Sequence, residues 1–252
     1  MSKPKLGSIT WRQPVVFAAA TLLCTVLAIW AVVAAPVGGV SGVSGLYLAA
    51  AVYVPLALWF GIWGCLAGYF SCIFMGLYLN FTGAASYSIE FLLVWSLADF
   101  FEGFVPLLIY RSIKTKAVLE FKRPTLTYTI NLLLAVVLVV SAAALINSST
   151  WIFLLAFAVS IILVLIQGFA EDKKTWLTWL PVGVLAASLA SAFFGVGALA
   201  LFGSIPLEAF STVFFGWVMG DMMVLATLGT LLTVVFTPYI VNSKFYVRRF
   251  FS

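Results

Sequence analysis

Leu46-Tyr-Leu-Ala-Ala-Ala-Val-Tyr-Val-Pro-Leu-Ala-Leu-Trp-Phe-Gly61-Ile-Trp-Gly-Cys-Leu-Ala-Gly-Tyr-Phe-Ser-Cys-Ile-Phe-Met-Gly-Leu-Tyr-Leu79 is a run of 34 residues without a charge. One helix of that length would be about 51 Å long at about 1.5 Å per residue. The hydrocarbon core of a bilayer is only about 30 Å thick. The run therefore reads as two segments, Leu46–Phe60 and Ile62–Leu79, joined by a tight re-entrant turn near Gly61.

The surrounding chain has the same character. Of its 252 residues, 64% are hydrophobic and 8% charged. Soluble domains carry about 25% charged residues, and a soluble fold of this length has too little interior to hide so much apolar surface. Further apolar segments run over Pro14–Ala35, Ile89–Tyr110, Tyr128–Ile146, Trp151–Gly168, Thr178–Phe202 and Phe210–Pro238. They are too long for the strands of an outer-membrane barrel, which alternate over about 10 residues. The fold class expected is an all-α, polytopic integral membrane helix bundle of about eight transmembrane helices, forming a single membrane domain. The last segment is long enough to be tilted or broken near Gly216–Gly220.

The basic residues fix the orientation. Lys3, Lys5 and Arg12 precede the first segment. Arg111, Lys114, Lys116, Lys122 and Arg123 lie between the fourth and fifth, Lys173 and Lys174 between the sixth and seventh, and Lys244, Arg248 and Arg249 after the eighth. With eight spans, all 13 fall on one side. The positive-inside rule then places both termini in the cytoplasm of a multi-pass cell-membrane protein. Trp11, Trp59, Trp63, Trp151, Trp176 and Trp179 fall near the expected interfaces, as an aromatic belt would. The net charge of +5 is a topology signal and not a nucleic-acid one. The tail Lys244–Ser252 is expected to lie on the inner leaflet.

The basic loop 111–124 divides the chain into possible halves, 1–112 and 125–252. Each half closes on a similar phrase, Trp95-Ser-Leu-Ala-Asp99 and Trp217-Val-Met-Gly-Asp221. Tryptophan precedes aspartate by four residues in both, so the two side chains share a helix face.

Three of the eight acidic residues lie inside spans: Asp99, Glu102 and Asp221. Asp99 is about 15 Å into its span, and Glu102, three residues on, shares its face. A carboxylate at this depth costs roughly 2.5–3.5 kcal/mol and normally faces a cavity or the bundle interior. No lysine, arginine or histidine occurs there to pair with it. The acids are either neutral and hydrogen-bonded between helices, or they meet water or a cationic ligand. Trp95 and Trp217 could stack on an organic cation. Asp99, Glu102, Asp221, Trp95 and Trp217 are thus the candidate ligand-binding residues for a small molecule or cation.

Other chemistry has little to stand on. The chain has no histidine, which removes imidazole metal sites and histidine triads. Cys24, Cys65 and Cys72 lie in apolar segments and suggest no disulfide. No activated nucleophile or nucleotide-binding pattern is present, so neither an enzyme nor a cofactor or metal is expected. Gly64-Cys-Leu-Ala-Gly68 and Gly216-Trp-Val-Met-Gly220 are small-xxx-small patterns that allow close helix contact.

Two resemblances follow from the motifs. Pro55-Leu-Ala-Leu-Trp-Phe-Gly61, Gly64, Gly68 and the phrase Ala98-Asp-Phe-Phe-Glu-Gly-Phe-Val-Pro-Leu-Leu-Ile-Tyr-Arg111 resemble the substrate-binding membrane subunits of energy-coupling-factor transporters. The likeness covers Leu46–Arg111. It implies a solute-binding, transport-related protein served by a coupling membrane subunit with ATPases. That family usually has six helices. Trp217-Val-Met-Gly-Asp221 with Pro238, and Phe101-Glu102-Gly103 through Arg111, are similar to the eight-helix membrane-associated sensor domain found ahead of bacterial kinases and cyclases. This second likeness implies a sensor that signals through a separate partner.

Overall fold

The computed structural model describes residues 11–34, 43–114 and 122–251. Lys3, Lys5, Ala35, Lys116 and Glu120 lie outside them. Seven helices are long and apolar enough to cross a membrane: α1 (Arg12–Ala34), α3 (Ile62–Phe81), α4 (Ile89–Ser112), α5 (Pro124–Ile146), α6 (Thr150–Ala170), α7 (Lys173–Leu201) and α8 (Leu207–Val241). The eighth apolar helix, α2 (Ala50–Phe60), has only 11 residues. The chain is a polytopic membrane helix bundle.

Side chains are distributed as a lipid solvent requires. Leu22, Val26, Val33, Leu132, Val139, Leu155, Phe193 and Phe215 point outward and are exposed, while Ser71, Asp99, Glu102, Asn131, Gln167 and Thr230 are buried. A water-soluble fold has the opposite arrangement.

The second crossing departs from its expected form. A helix over Leu46–Phe60 was expected, but residues 43–49 are not helical and the helix begins at Ala50. At about 1.5 Å per residue α2 is about 16 Å long, half a bilayer core. Its last turn lies at one face of the bundle. Its first turn lies deep inside, because Tyr47 reaches Asp99 in the middle of α4. The expected turn at Gly61 is present. Gly61 has φ +65°, and α3 begins one residue later. A Cβ at Gly61 would also lie 2.3 Å from the Phe250 carbonyl oxygen. A Cβ at Gly64 would lie 2.2 Å from the Ala57 backbone nitrogen, so glycine lets α3 close onto α2.

Several helix ends meet at the Gly61 face. Val247 N–H donates to Trp59 O (2.9 Å) and Ile62 N–H to Phe250 O (2.8 Å). The Arg111 guanidinium, from the end of α4, donates to Leu58 O (3.0 Å), Val247 O (2.6 Å) and Arg249 O (3.2 Å). It caps the C-terminal carbonyls of α2, where a cation complements the helix dipole. Arg12 stands over the Phe245 ring. The segment after α8 therefore folds against the Gly61 face of the bundle and packs there through buried Val247. At the α5–α6 ends, Glu171 accepts from Lys122 N–H, from Arg123 N–H (2.9 Å) and from the Thr127 hydroxyl (2.8 Å).

Residues 43–60 carry the chain from the level of Asp99 to the Gly61 face. Seven helices are long enough to cross a membrane, and the short α2 is added to them. The two sequence halves interleave: α4 packs along α7, and α2 against α8.

Three further details depart from expectation. Helix α8 is unbroken over Gly216–Gly220 and instead widens into a π-helical turn at Leu225–Gly229. In that stretch only Gly220 serves close contact, since a Cβ there would lie 2.7 Å from Gly45 O, while Gly216 faces open space. Lys173 and Lys174 belong to the first turn of α7, whose π-helical stretch Trp179–Ala186 contains Pro181. Of the tryptophans expected at the interfaces, Trp11 and Trp151 are exposed, but Trp59, Trp176 and Trp179 are buried. Trp59 and Trp179 donate to the hydroxyls of Thr237 and Thr230, each at 2.9 Å. Their indoles join helices and do not face the membrane surface.

Candidate functional site

Halfway through the bundle, Ser44, Tyr47, Cys72, Met75, Trp95, Asp99, Trp217 and Asp221 surround a cavity of about 10 Å³. That is room for about one water molecule. Four of the five expected residues line it. The fifth, Glu102, lies behind its wall and is completely buried.

Local structure explains the placement. Helix α4 is interrupted at Ser96, between Ile89–Trp95 and Leu97–Ser112. Trp95 and Asp99 flank that interruption and still reach the same cavity. Trp217 and Asp221 sit one turn apart on α8, where four-residue spacing keeps them on one face. Gly195 of α7 admits the Trp217 ring, since a Cβ there would lie 2.7 Å from it.

The non-helical segment and α2 close the site with two tyrosines. The Tyr47 hydroxyl donates to Asp99 Oδ2 at 2.8 Å. The Tyr53 hydroxyl donates to Glu102 Oε2. On the other side, Trp217 Nε1–H donates to Ser191 Oγ at 3.0 Å. Several polar atoms remain without a partner: Glu102 Oε1, Asp221 Oδ2, Trp95 Nε1 and Ser96 Oγ. In hydrocarbon such atoms cost several kcal/mol each unless satisfied, by about the measure of a lost hydrogen bond or more.

Chemically, the cavity is a water-sized chamber with two carboxylates on its wall, two indoles beside them and, among the described residues, no basic side chain lining it. Among the described residues no three His, Cys, Asp or Glu converge as a metal-ion site would require. The cysteines are free and buried, as expected of thiols inside apolar segments.

Tyr47, Tyr53 and Ser191 were not among the expected residues. The two tyrosines do have a sequence signal. A phenol in a charge-free membrane segment needs an acceptor, and Asp99, Glu102 and Asp221 are the carboxylates that the sequence places deep in its apolar segments. Ser191 has no comparable signal in a chain rich in buried serine and threonine.

Comparison with protein families, with curated proteins and with solved structures gives no match to this chain.

Proposed function

We propose that the protein binds a small cationic solute near the bilayer midplane and serves its transport across the cell membrane, with both chain ends in the cytoplasm. One observation carries the reading: Asp99 and Asp221 line a small cavity, Asp221 Oδ2 has no partner, and among the described residues no lysine or arginine lines it. Intramembrane acids in such a setting mark substrate or ion pathways. The broken second crossing supports the same reading. Transporters place irregular backbone and half-helix ends at a midplane site, where they line a cavity.

The cavity as it stands accepts a species the size of water or ammonium. A larger organic cation enters only if Tyr47 or Trp217 turns away. Energy for transport would come from a partner, a coupling membrane subunit with ATPases, as the likeness over Leu46–Arg111 implies. The eight crossings expected from the sequence favour a second reading, a sensor that reports the bound solute to a separate partner.

Thermal unfolding of the purified protein with a panel of amines, vitamins and inorganic cations tests the proposal. A ligand of the native state must raise stability. Asp99→Asn and Asp221→Asn should each remove the shift, and unchanged binding in both variants would overturn the reading. Uptake into proteoliposomes containing the partner separates transport from binding alone.

A further inference from the structure

Two hollows on the outside of the bundle meet at Trp63. The first is a basic pocket at the Gly61 face, lined by Arg12, Phe60, Trp63, Lys244 and Phe245 among others. The second is an apolar groove of about 710 Å³ between α1 and α3, whose lining includes Phe17, Leu22, Trp63, Leu66, Phe70 and Phe74. Trp63 belongs to both, and the Phe17 ring stands beside it with centroids 6.3 Å apart. The groove is open because α1 meets the bundle closely only from Ala20 onward. None of residues 12–19 is buried.

The mouth of the groove is cationic. The Arg12 guanidinium lies over the rings of Trp11 and Phe245, and a guanidinium held against rings keeps its N–H donors for an anion. Lys244 is exposed at the same pocket. It belongs to the segment that Val247 N–H ties to Trp59 O at 2.9 Å. Among the described residues no carboxylate lines either hollow. Below the mouth the walls are hydrocarbon and aromatic. From Trp63 to Phe74 the groove runs about 16 Å at helical rise, half of a bilayer core about 30 Å thick. A transmembrane helix about 10 Å across would fill about 1,250 Å³ over that length, more than the groove holds. An acyl chain is slimmer and has no polar group to satisfy. Basic pockets between membrane helices suit anionic headgroups.

We infer that the pocket and the groove form one site for an anionic phospholipid, with its phosphate between Arg12 and Lys244 and one acyl chain along the groove. The bound lipid joins the first turns of α1 to the segment after α8. The site does not touch the carboxylate cavity, so it stands independently of cation binding.

Full-length protein in detergent micelles, equilibrated with equal amounts of phosphatidylglycerol and phosphatidylcholine carrying the same acyl chains, tests this by native mass spectrometry. The wild type should retain one phosphatidylglycerol with a preference of about 30-fold, about fivefold for each basic group, and should melt at a higher temperature with it. Arg12→Gln with Lys244→Gln should erase the preference. If that pair fails to fold, the single substitutions carry the test, each costing about fivefold. Arg12→Lys with Lys244→Arg keeps both charges and should keep the preference. Lys173→Gln with Lys174→Gln removes as much charge elsewhere and should change nothing. Ala18→Trp fills the groove, leaves its mouth intact and should abolish retention. Equal retention of the two lipids by the wild type, an unchanged preference in the folded Arg12 and Lys244 variants, or an equal loss in the Lys173 and Lys174 variant would each overturn the inference. So would undiminished retention by Ala18→Trp, displacement of the lipid by inorganic phosphate alone, or a wild type that is dimeric and free of lipid, which assigns the groove to a second copy.

Discussion

Gly64 and Gly216 have the same sequence signature, a glycine opening a small-xxx-small pattern, yet they meet opposite surroundings. A Cβ at Gly64 would strike the backbone of Ala57, which cannot rotate aside, whereas one at Gly216 meets nothing within 4 Å. Gly64→Ala should therefore force α2 and α3 apart and destabilise by about 1–3 kcal/mol, the usual cost of overpacking. Gly216→Ala should be neutral or stabilising by about 0.5–1 kcal/mol, since alanine is the better helix residue. Thermal unfolding in one detergent compares the two, and equal losses would contradict the packing described. At this scale the sequence is informative where chemistry is rare. Three acids in an apolar interior stand out, and four of the five expected residues share one cavity. It is uninformative where chemistry is common. Nothing in the pattern separates Ser191 from other buried hydroxyls, and the tryptophans assigned to the interface differ from those that pin helices only in what they face across the bundle.

Helix ends in this protein are secured by specific polar groups. Asp172 caps α7, accepting from Thr175 N–H at 3.2 Å and from the Thr175 hydroxyl. That hydroxyl bond holds the carboxyl below the usual carboxylate range. A carboxyl lowered in the folded state stabilises the fold at pH above its unfolded value, and the contribution disappears as pH falls through the folded value. Asp172→Ala should cost about 1 kcal/mol at neutral pH, and the difference from wild type should shrink as pH falls below the ordinary aspartate value of about 3.9 and the wild-type carboxylate takes up a proton. Melting curves at both pH values check this, and a deficit persisting undiminished in acid would contradict it. Element boundaries were legible in the sequence wherever hydropathy alone sets them, which covers the long helices. Residues 43–49 were not, because Leu46, Tyr47 and Leu48 are as apolar as any helix. Their backbone is unwound by what it meets, the close approach of Gly45 to Gly220 and the reach of Tyr47 to Asp99, and both partners are distant in sequence. The widening of α8 just beyond Asp221 is likewise a matter of packing against neighbours and leaves no local mark.

For the whole molecule, the number of crossings depends on counting residues 43–60 as one. If they cross, Trp11 lies on the same side of the membrane as Lys244; if they do not, it lies on the side of Ser148 and Ser204. Introduced cysteines report this, since Cys24, Cys65 and Cys72 are buried. In intact cells Ser148→Cys and Ser204→Cys should react with a membrane-impermeant maleimide, and Trp11→Cys and Lys244→Cys should react only after permeabilisation. Labelling of Lys244→Cys in intact cells would reverse the orientation. The gathering of basic residues at one face was readable from the sequence, because charge placement and hydropathy are independent signals that agree.

The short second crossing also bears on how the chain reaches its membrane. Eleven residues of helix cannot leave the insertion machinery for lipid alone, since the unwound residues before them would expose unpaired peptide groups to hydrocarbon. Their partners, Asp99, Glu102 and Gly220, are synthesised later, the last of them some 160 residues further on. The segment must wait, sheltered by α1 and α3, until α4 and then α8 arrive. Biogenesis of this protein is therefore finished from the C-terminal end, and a ribosome stalled before α8 would leave a nascent chain whose centre is still open.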